Sequence, residues 1–251
     1  MSKPIIALQL YTVRDFAEKD PRGTLQKVKE MGYTDVELAG TYGLPVQELR
    51  QMLDDAGLRA ISAHVGYGEL KNDLDNTVAA YKALGCKYAA IPWIDEDHLP
   101  GGEHWATDKP ILQKIAAKLK EAGITPMYHN HAFEFKKLSN GEYILDEFFK
   151  DLPEFETQID SGWVSAADLC PAAYIRKYAG RCPLVHLKDT IITDGNIVDH
   201  PVGSGSQDMP AITKAALESG AVGFVVELDE TVGMTSLEAA KQSLEYLKGL
   251  L

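Results

Sequence analysis

No cluster of lysines or arginines stands out in this chain. Its 25 Lys and Arg residues are outnumbered by 37 Asp and Glu, giving a net charge of −12 at pH 7 and a pI of about 5.0. Nucleic-acid binding rests on basic contacts to phosphates, so no nucleic-acid partner is expected. The acidic surplus reads as solvated surface that aids solubility. Cysteine is scarce. Cys86, Cys170 and Cys182 cannot all pair with one another and show no Cys-x-x-Cys spacing. This excludes a disulfide framework and points to reduced thiols in the cytoplasm. Long hydrophobic runs are missing too. Met1-Ser2-Lys3-Pro4 leads into an apolar stretch that ends at Gln9, too short for a signal peptide or a membrane span, so no membrane partner is expected. Glycine is absent where a dinucleotide-binding sheet would need it: Gln9-Leu10-Tyr11-Thr12-Val13 carries no Gly-x-Gly-x-x-Gly. No low-complexity tract or linker interrupts the chain, so residues 1–251 are read as a single domain.

What is present is one unit, repeated. Strands are expected over 5–13, 34–39, 59–65, 88–94, 125–131, 156–160, 183–188 and 223–229. Helices are expected over 24–31, 45–56, 70–84, 109–122, 145–151, 168–178, 209–218 and 235–248. Gly32, Gly57, Gly85, Gly123, Gly180 and Gly220 each fall just past a helical run, where a left-handed terminator is wanted. Lys-Glu-Met-Gly-Tyr-Thr-Asp, Asp-Asp-Ala-Gly-Leu-Arg-Ala and Lys-Glu-Ala-Gly-Ile-Thr-Pro look like variants of one helix-to-strand junction. Strands alternating with helices imply parallel βαβ units, and eight of them in a chain of this length make an α/β (β/α)8 TIM barrel.

In such a barrel, alternate strand residues face the lumen. The pattern points Gln9, Tyr11, Glu37, His64, Trp93, His129, His131, Asp160, His186, Lys188 and Glu227 inward, with Asp229 one step higher. These polar residues lie near the C-terminal strand ends, where barrel active sites sit. Several carboxylates in an apolar lumen would cost on the order of several kcal/mol per ion without a counter-charge. A divalent cation removes that cost by taking carboxylates and imidazoles as ligands. Asp160, His186 and Glu227 each offer a ligand from the last three strands. Glu134 is the choice from strand five, because a harder carboxylate set suits Mn²⁺, Mg²⁺ or Co²⁺, with Zn²⁺ admitted; His129 or His131 could take its place.

Five segments carry a resemblance: Leu10-Tyr11-Thr12-Val13-Arg14-Asp15, His129-Asn130-His131-Ala132-Phe133-Glu134-Phe135, Asp160-Ser161-Gly162-Trp163, His186-Leu187-Lys188-Asp189 and Val202-Gly203-Ser204-Gly205. Over residues 5–248 the chain resembles the xylose-isomerase-like TIM barrels, and within them the sugar phosphate isomerase/epimerase group. That group includes inosose dehydratases, ketose 3-epimerases and 3-dehydroshikimate dehydratases. The resemblance implies one divalent metal, Mn²⁺ before the others, held by Glu134, Asp160, His186 and Glu227. Two positions depart from the pattern. His129-Asn130-His131 stands where many relatives carry the strand-five glutamate, and Ser204 replaces a glutamate before the seventh helix.

The chemistry expected is proton abstraction beside a carbonyl through a metal-stabilised enediolate, leading to isomerisation, epimerisation or dehydration of a small carbohydrate. Glu227 and Glu134 are candidate ligands and bases, while His131, His129 and Lys188 are candidate acids. Lys188 could instead serve a salt bridge with Asp189 or Asp160. Trp93 and Trp163 could stack on a sugar ring or pack in the core. His129, His64, Glu37, Tyr11 and Trp93 are expected to meet substrate. His98, His104 and His200 are assigned to surface loops, and Gly203-Ser204-Gly205-Ser206 reads as a bare turn rather than a phosphate cradle. Two other functions compete: a metal-dependent phosphoesterase of the apurinic endonuclease type, and a non-catalytic sugar-binding barrel. Self-association as a homo-oligomer is left open.

Overall fold

Strands of three to six residues, alternating with helices, fold into a ring of parallel strands. The structure, a computed structural model, describes residues 3–193 and 196–251; Met1 and Ser2 of the opening segment lie outside the described residues. The strands are β1 (Ile5–Gln9), β2 (Asp35–Ala39), β3 (Arg59–His64), β4 (Tyr88–Ile91), β5 (Thr125–His129), β6 (Glu156–Gln158) and β7 (Leu184–Leu187), then β8 (Asp189–Thr193), β9 (Asn196–His200) and β10 (Gly223–Val226). Eight of them pair in the order β6-β5-β4-β3-β2-β1-β10-β7, all parallel, while β8 and β9 form a separate antiparallel hairpin. The ring nearly closes between β6 and β7. There His186 N donates to Ile159 O at 2.9 Å, and Asp160 and His186 form a lone parallel bridge. The (β/α)8 TIM barrel expected from the sequence is the fold observed.

The helices are α1 (Arg14–Ala17), α2 (Pro21–Met31), α3 (Val46–Ala56), α4 (Tyr67–Asn72), α5 (Leu74–Leu84) and α6 (Trp105–Glu121). Beyond them lie α7 (Ile144–Asp151), α8 (Ser161–Ala166), α9 (Pro171–Lys177), α10 (Met209–Glu218) and α11 (Ser236–Leu250). Their ends follow local chemistry. The Asp20 side chain accepts from Gly23 N and Pro21 opens α2, while Thr235 and Glu238 form a reciprocal capping box on α11. None of the described helices is long and apolar enough to cross a membrane.

Several boundaries differ from the sequence expectation. The first strand stops at Gln9 instead of residue 13, because Gln9 Oε1 accepts from Tyr11 N at 3.0 Å and Leu10–Val13 coil into a 3-10 turn. β4 stops at Ile91 before Pro92, which has no N–H to give a ladder. The helix expected over 168–178 begins only at Pro171, which opens α9; Asp168 at φ 58° separates it from α8, a short helix for which no element was expected. The β8–β9 hairpin lies in a stretch for which no element was expected.

Two apolar cores result. The larger lies between the strands and the helices. The smaller, formed by Ala7, Ile61, Ala90, Met127, Leu184 and Val225, is a separate cluster. Ala7, Met127, Leu184 and Val225 stand two residues before Gln9, His129, His186 and Glu227, and so share their strand face. An apolar floor therefore fills the lumen beneath a polar layer.

Phe148 on α7 is fully buried among Tyr128, Phe149, Phe155 and Trp105, with ring centroids 4.5–5.9 Å away. Phe148→Ala is expected to cost about 3–5 kcal/mol, read as a lower urea midpoint with an unchanged m-value. Cys86 and Cys182 are buried, which pushes their thiols up to about 12 and about 11, whereas Cys170 is exposed. A thiol-disulfide reagent at neutral pH is expected to titrate Cys170 alone in the native protein and all three cysteines in guanidinium.

Candidate active site

Glu37, at the middle of β2, ties the polar layer together. It is fully buried. Its Oε1 accepts from Gln9 Nε2 (2.7 Å) on β1 and from His186 Nε2 (2.7 Å) on β7, and lies 3.1 Å from His64 Nε2 on β3. Its Oε2 accepts from Gln158 Nε2 (2.6 Å) on β6. Burial alone would push this carboxyl up, but the His64 and His186 charges outweigh it and hold it down at about 2. Glu37 was expected to meet a substrate hydroxyl; it is enclosed instead, with both oxygens engaged.

With Nε2 committed to Glu37, the other nitrogen of His186 faces Glu227 and Asp160. His186 Nδ1 lies 3.0 Å from Glu227 Oε2 and 4.0 Å from Asp160 Oδ2, and His129 Nε2 lies 4.0 Å from the same Glu227 oxygen. One ligand atom from each of His129, Asp160, His186 and Glu227 falls within 4.8 Å of all the others, and the four residues are buried. Asp160 is held in place from two sides. Its N–H donates to Asn130 Oδ1 at 3.0 Å and its Oδ1 accepts from Trp163 N at 2.9 Å, which caps α8. Its Oδ2 is enclosed without a hydrogen-bond partner.

The charges in this pocket are closely coupled. Burial would lower His186, but Glu37 and Glu227 outweigh it and raise it to about 10. Glu227 is opposed by burial yet held well below the usual carboxylate range by Lys188 and His186. Asp160 is pushed up to about 7, by burial first, against the pull of Lys188. Lys188 is buried with Nζ 2.5 Å from Asp229 Oδ2, 3.4 Å from Glu227 Oε2 and 3.8 Å from Asp160 Oδ2, and 4.9 Å above the Trp163 ring. Burial works against its charge, but the three carboxylates raise its pKa above the ordinary lysine value. Its alkyl stem passes Gly162, where an added Cβ would come within 2.8 Å of it.

These residues fit a divalent cation. An unpartnered carboxylate oxygen faces the cluster, and two imidazoles with two carboxylates make a donor set that borderline divalent ions accept. His186 has its second nitrogen on a carboxylate, the arrangement that orients and strengthens a metal-binding histidine.

Above the cluster opens a cavity of about 440 Å³ whose lining includes Tyr11, His64, Trp93, His129, His131, Glu227 and Asp229. Tyr11 and Trp93 are roughly half exposed at its rim, both beyond the strand ends that were expected to carry them. His131 packs edge-on to Trp93 (4.9 Å) and against Trp163 (5.2 Å). Burial first, then Lys188, lowers it to about 4, so its imidazole is neutral at pH 7. Among the described residues lining the cavity there is no Lys or Arg.

Glu134 is not brought into this group. Past His129 the chain turns into a 3-10 segment at Phe133–Phe135, which carries Glu134 back so that Oε1 accepts from Tyr128 OH and Oε2 from His131 N, both at 2.8 Å. Strand five contributes His129 to the cluster instead. The strand period had already aimed His129 at the lumen; the carboxylate preference steered the choice away from it. Gln158 was overlooked, although it stands two residues before Asp160 and shares its face. Asp189 does not pair with Lys188. Its carboxylate accepts from Gly203 N (2.9 Å), Gly205 N (2.9 Å) and Gln207 N (3.1 Å), so these amides close a turn.

The sequence profile of a family described as xylose isomerase-like TIM barrel matches residues 25–250. No functionally curated protein matches the chain. Among solved structures, a sugar phosphate isomerase/epimerase from Parabacteroides distasonis ATCC 8503 is 26% identical, with a TM-score of 0.81 over 98% of each chain. A xylose isomerase domain protein from Alicyclobacillus acidocaldarius is 16% identical, with a TM-score of 0.77 over 98% of this chain and 97% of that one. A D-allulose 3-epimerase from Methylomonas sp. is 14% identical, with a TM-score of 0.75 over 100% of this chain and 99% of that one. The last two likenesses bear on fold alone.

Lys188→Met removes the buried cation and leaves Glu227 and Asp229 facing each other. In chelator-treated protein it is expected to cost about 3 kcal/mol or more, measured by guanidinium unfolding.

Proposed function

We propose that this chain, which belongs to the xylose isomerase-like TIM barrel family, is a divalent-metal-dependent isomerase, epimerase or dehydratase of a small polyhydroxylated carbonyl compound. The observation that supports this reading is the convergence of His129, Asp160, His186 and Glu227 beneath a cavity rimmed by Tyr11 and Trp93. Those four residues are the proposed ligands, His129 standing where Glu134 was first expected. Two imidazoles bring Co²⁺ and Zn²⁺ into contention beside Mn²⁺. An ion bound there supplies Lewis-acid polarisation of a carbonyl and so acidifies the neighbouring C–H.

The remaining work falls to the chain's own groups. Neutral His131, at the cavity wall, is the proposed acceptor of the carbon-bound proton. Lys188, kept charged by Asp229 and Glu227, is the proposed hydrogen-bond donor toward a developing oxyanion or a departing hydroxyl. A proton delivered to the opposite face from solvent inverts the centre, the proton on His131 returned to the adjacent carbon moves the carbonyl, and the same proton passed from His131 to a departing β-hydroxyl releases water. Tyr11 and Trp93 offer ring faces to a sugar, and His64 a hydrogen bond to a hydroxyl. A cavity lining without Lys or Arg supports an uncharged substrate over a phosphorylated one, and it weighs against the phosphoesterase alternative.

Turnover on a panel of ketoses, inososes and 3-keto-glycosides tests the proposal. Activity is expected to vanish after exhaustive chelation and to return with Mn²⁺, Co²⁺ or Zn²⁺. Glu227→Gln should lower kcat by roughly 10²- to 10⁴-fold. Unchanged turnover in fully metal-free enzyme would overturn it.

A further inference from the structure

The loop after β4 carries a second group of metal-ligating side chains, none of them shared with the barrel cluster. Asp97 and His98 end a 3-10 turn at Glu96–His98, and His104 immediately precedes α6. His98 Nε2 lies 3.8 Å from Asp97 Oδ1, and His104 Nε2 lies 3.7 Å from Asp97 Oδ2. The two imidazole rings sit 4.7 Å apart. Ligands about 2.0–2.2 Å from a tetrahedral ion are separated by roughly 3.4 Å, so these atoms need to move little to share one.

The loop backbone sets this spacing in advance. His104 N donates to Asp97 O at 2.8 Å, closing the loop on itself. Gly102 makes the closure possible, because a Cβ there would come within 2.4 Å of Asp97 O. A buried carboxylate then orients one of the imidazoles. Asp108 on α6 is 1% exposed; it accepts from Lys71 Nζ (2.8 Å), Tyr67 OH (2.5 Å) and, through Oδ2, from His98 Nδ1. With Nδ1–H given to Asp108, the His98 lone pair is on Nε2, the nitrogen that faces Asp97.

We propose that Asp97, His98 and His104 form a second, surface site for a borderline divalent cation such as Zn²⁺, with Asp108 as the carboxylate that orients His98. Two imidazoles and one carboxylate supply three protein ligands and leave a coordination position open to water. The site clasps the loop that carries Trp93 against the start of α6.

Metal counting tests this. Chelator-stripped wild-type protein and the His104→Ala and Asp97→Asn variants are dialysed against buffered micromolar Zn²⁺, and bound metal is measured by mass spectrometry. Both ligand side chains are about half exposed, so the folds are expected to persist, with circular dichroism as the check. Each variant should hold one equivalent of Zn²⁺ fewer than wild type. The barrel residues are the same in all three chains, so the difference reads the loop site whatever the barrel holds. Asp108→Asn should weaken that equivalent by roughly 10- to 100-fold. Equal Zn²⁺ in wild type and His104→Ala would overturn the proposal.

Discussion

One carboxylate organises the mouth of this barrel. Glu37 draws Gln9, His64, Gln158 and His186, from four other strands, onto its two oxygens. An isolated anion in so dry a place would be costly. Here it is surrounded by donors, so its charge becomes the fixed point around which the other side chains take their rotamers. The consequence for chemistry is specific. Binding His186 through Nε2 leaves Nδ1 for whatever sits between Asp160 and Glu227.

The second constraint is the balance of charge around Lys188. Glu227, Asp160 and Asp229 surround one ammonium, and His186 supplies the other nearby positive charge. Asp160 and His186 are both shifted upward within this set, Asp160 by burial and His186 by Glu37 and Glu227 against the pull of burial. Gly162 is part of the same constraint, since the lysine reaches the carboxylates only along the space its missing side chain leaves.

How much of this was legible in the sequence depended on range. The eight strand-helix units were readable because each is a local pattern, a short strand run followed by a helical one, and six of the helical runs are closed by a glycine. Gln9, His64, His129, His186 and Glu227 were placed by strand period alone, and the period is geometry. Glu134 was misplaced because it follows the strand, where alternation no longer governs direction. A 3-10 turn that hydrogen-bonds it to Tyr128 and to the His131 amide decided its position, and no spacing rule signals such a contact. Glu37 was aimed correctly at the lumen but given the wrong company, because its partners lie up to 149 residues away in sequence. The β8–β9 hairpin was missed for a different reason. Only one of its two strands follows a barrel strand directly, and its exposed residues at Ile192 and Ile197 disguise the alternation.

The position of the candidate metal cluster in the ring carries a last argument. The strand pairing runs unbroken from β6 round to β7 and then gives way to a lone bridge between Asp160 and His186. β6 is only three residues long, so little backbone pairing is available at that seam. His129, Asp160, His186 and Glu227 come from β5, the end of β6, β7 and the end of β10, the strands on either side of the gap. A cation held by them would join across side chains what the backbone leaves weakly joined, and binding energy gained there is folding energy for the seam. The same placement keeps the cluster open to the cavity, because a fully hydrogen-bonded seam would bring β6 and β7 close along their whole length. A weak seam, a buried cluster of carboxylates and imidazoles, and a cavity above it are thus three aspects of one arrangement: the barrel is least complete where its reactive groups are densest.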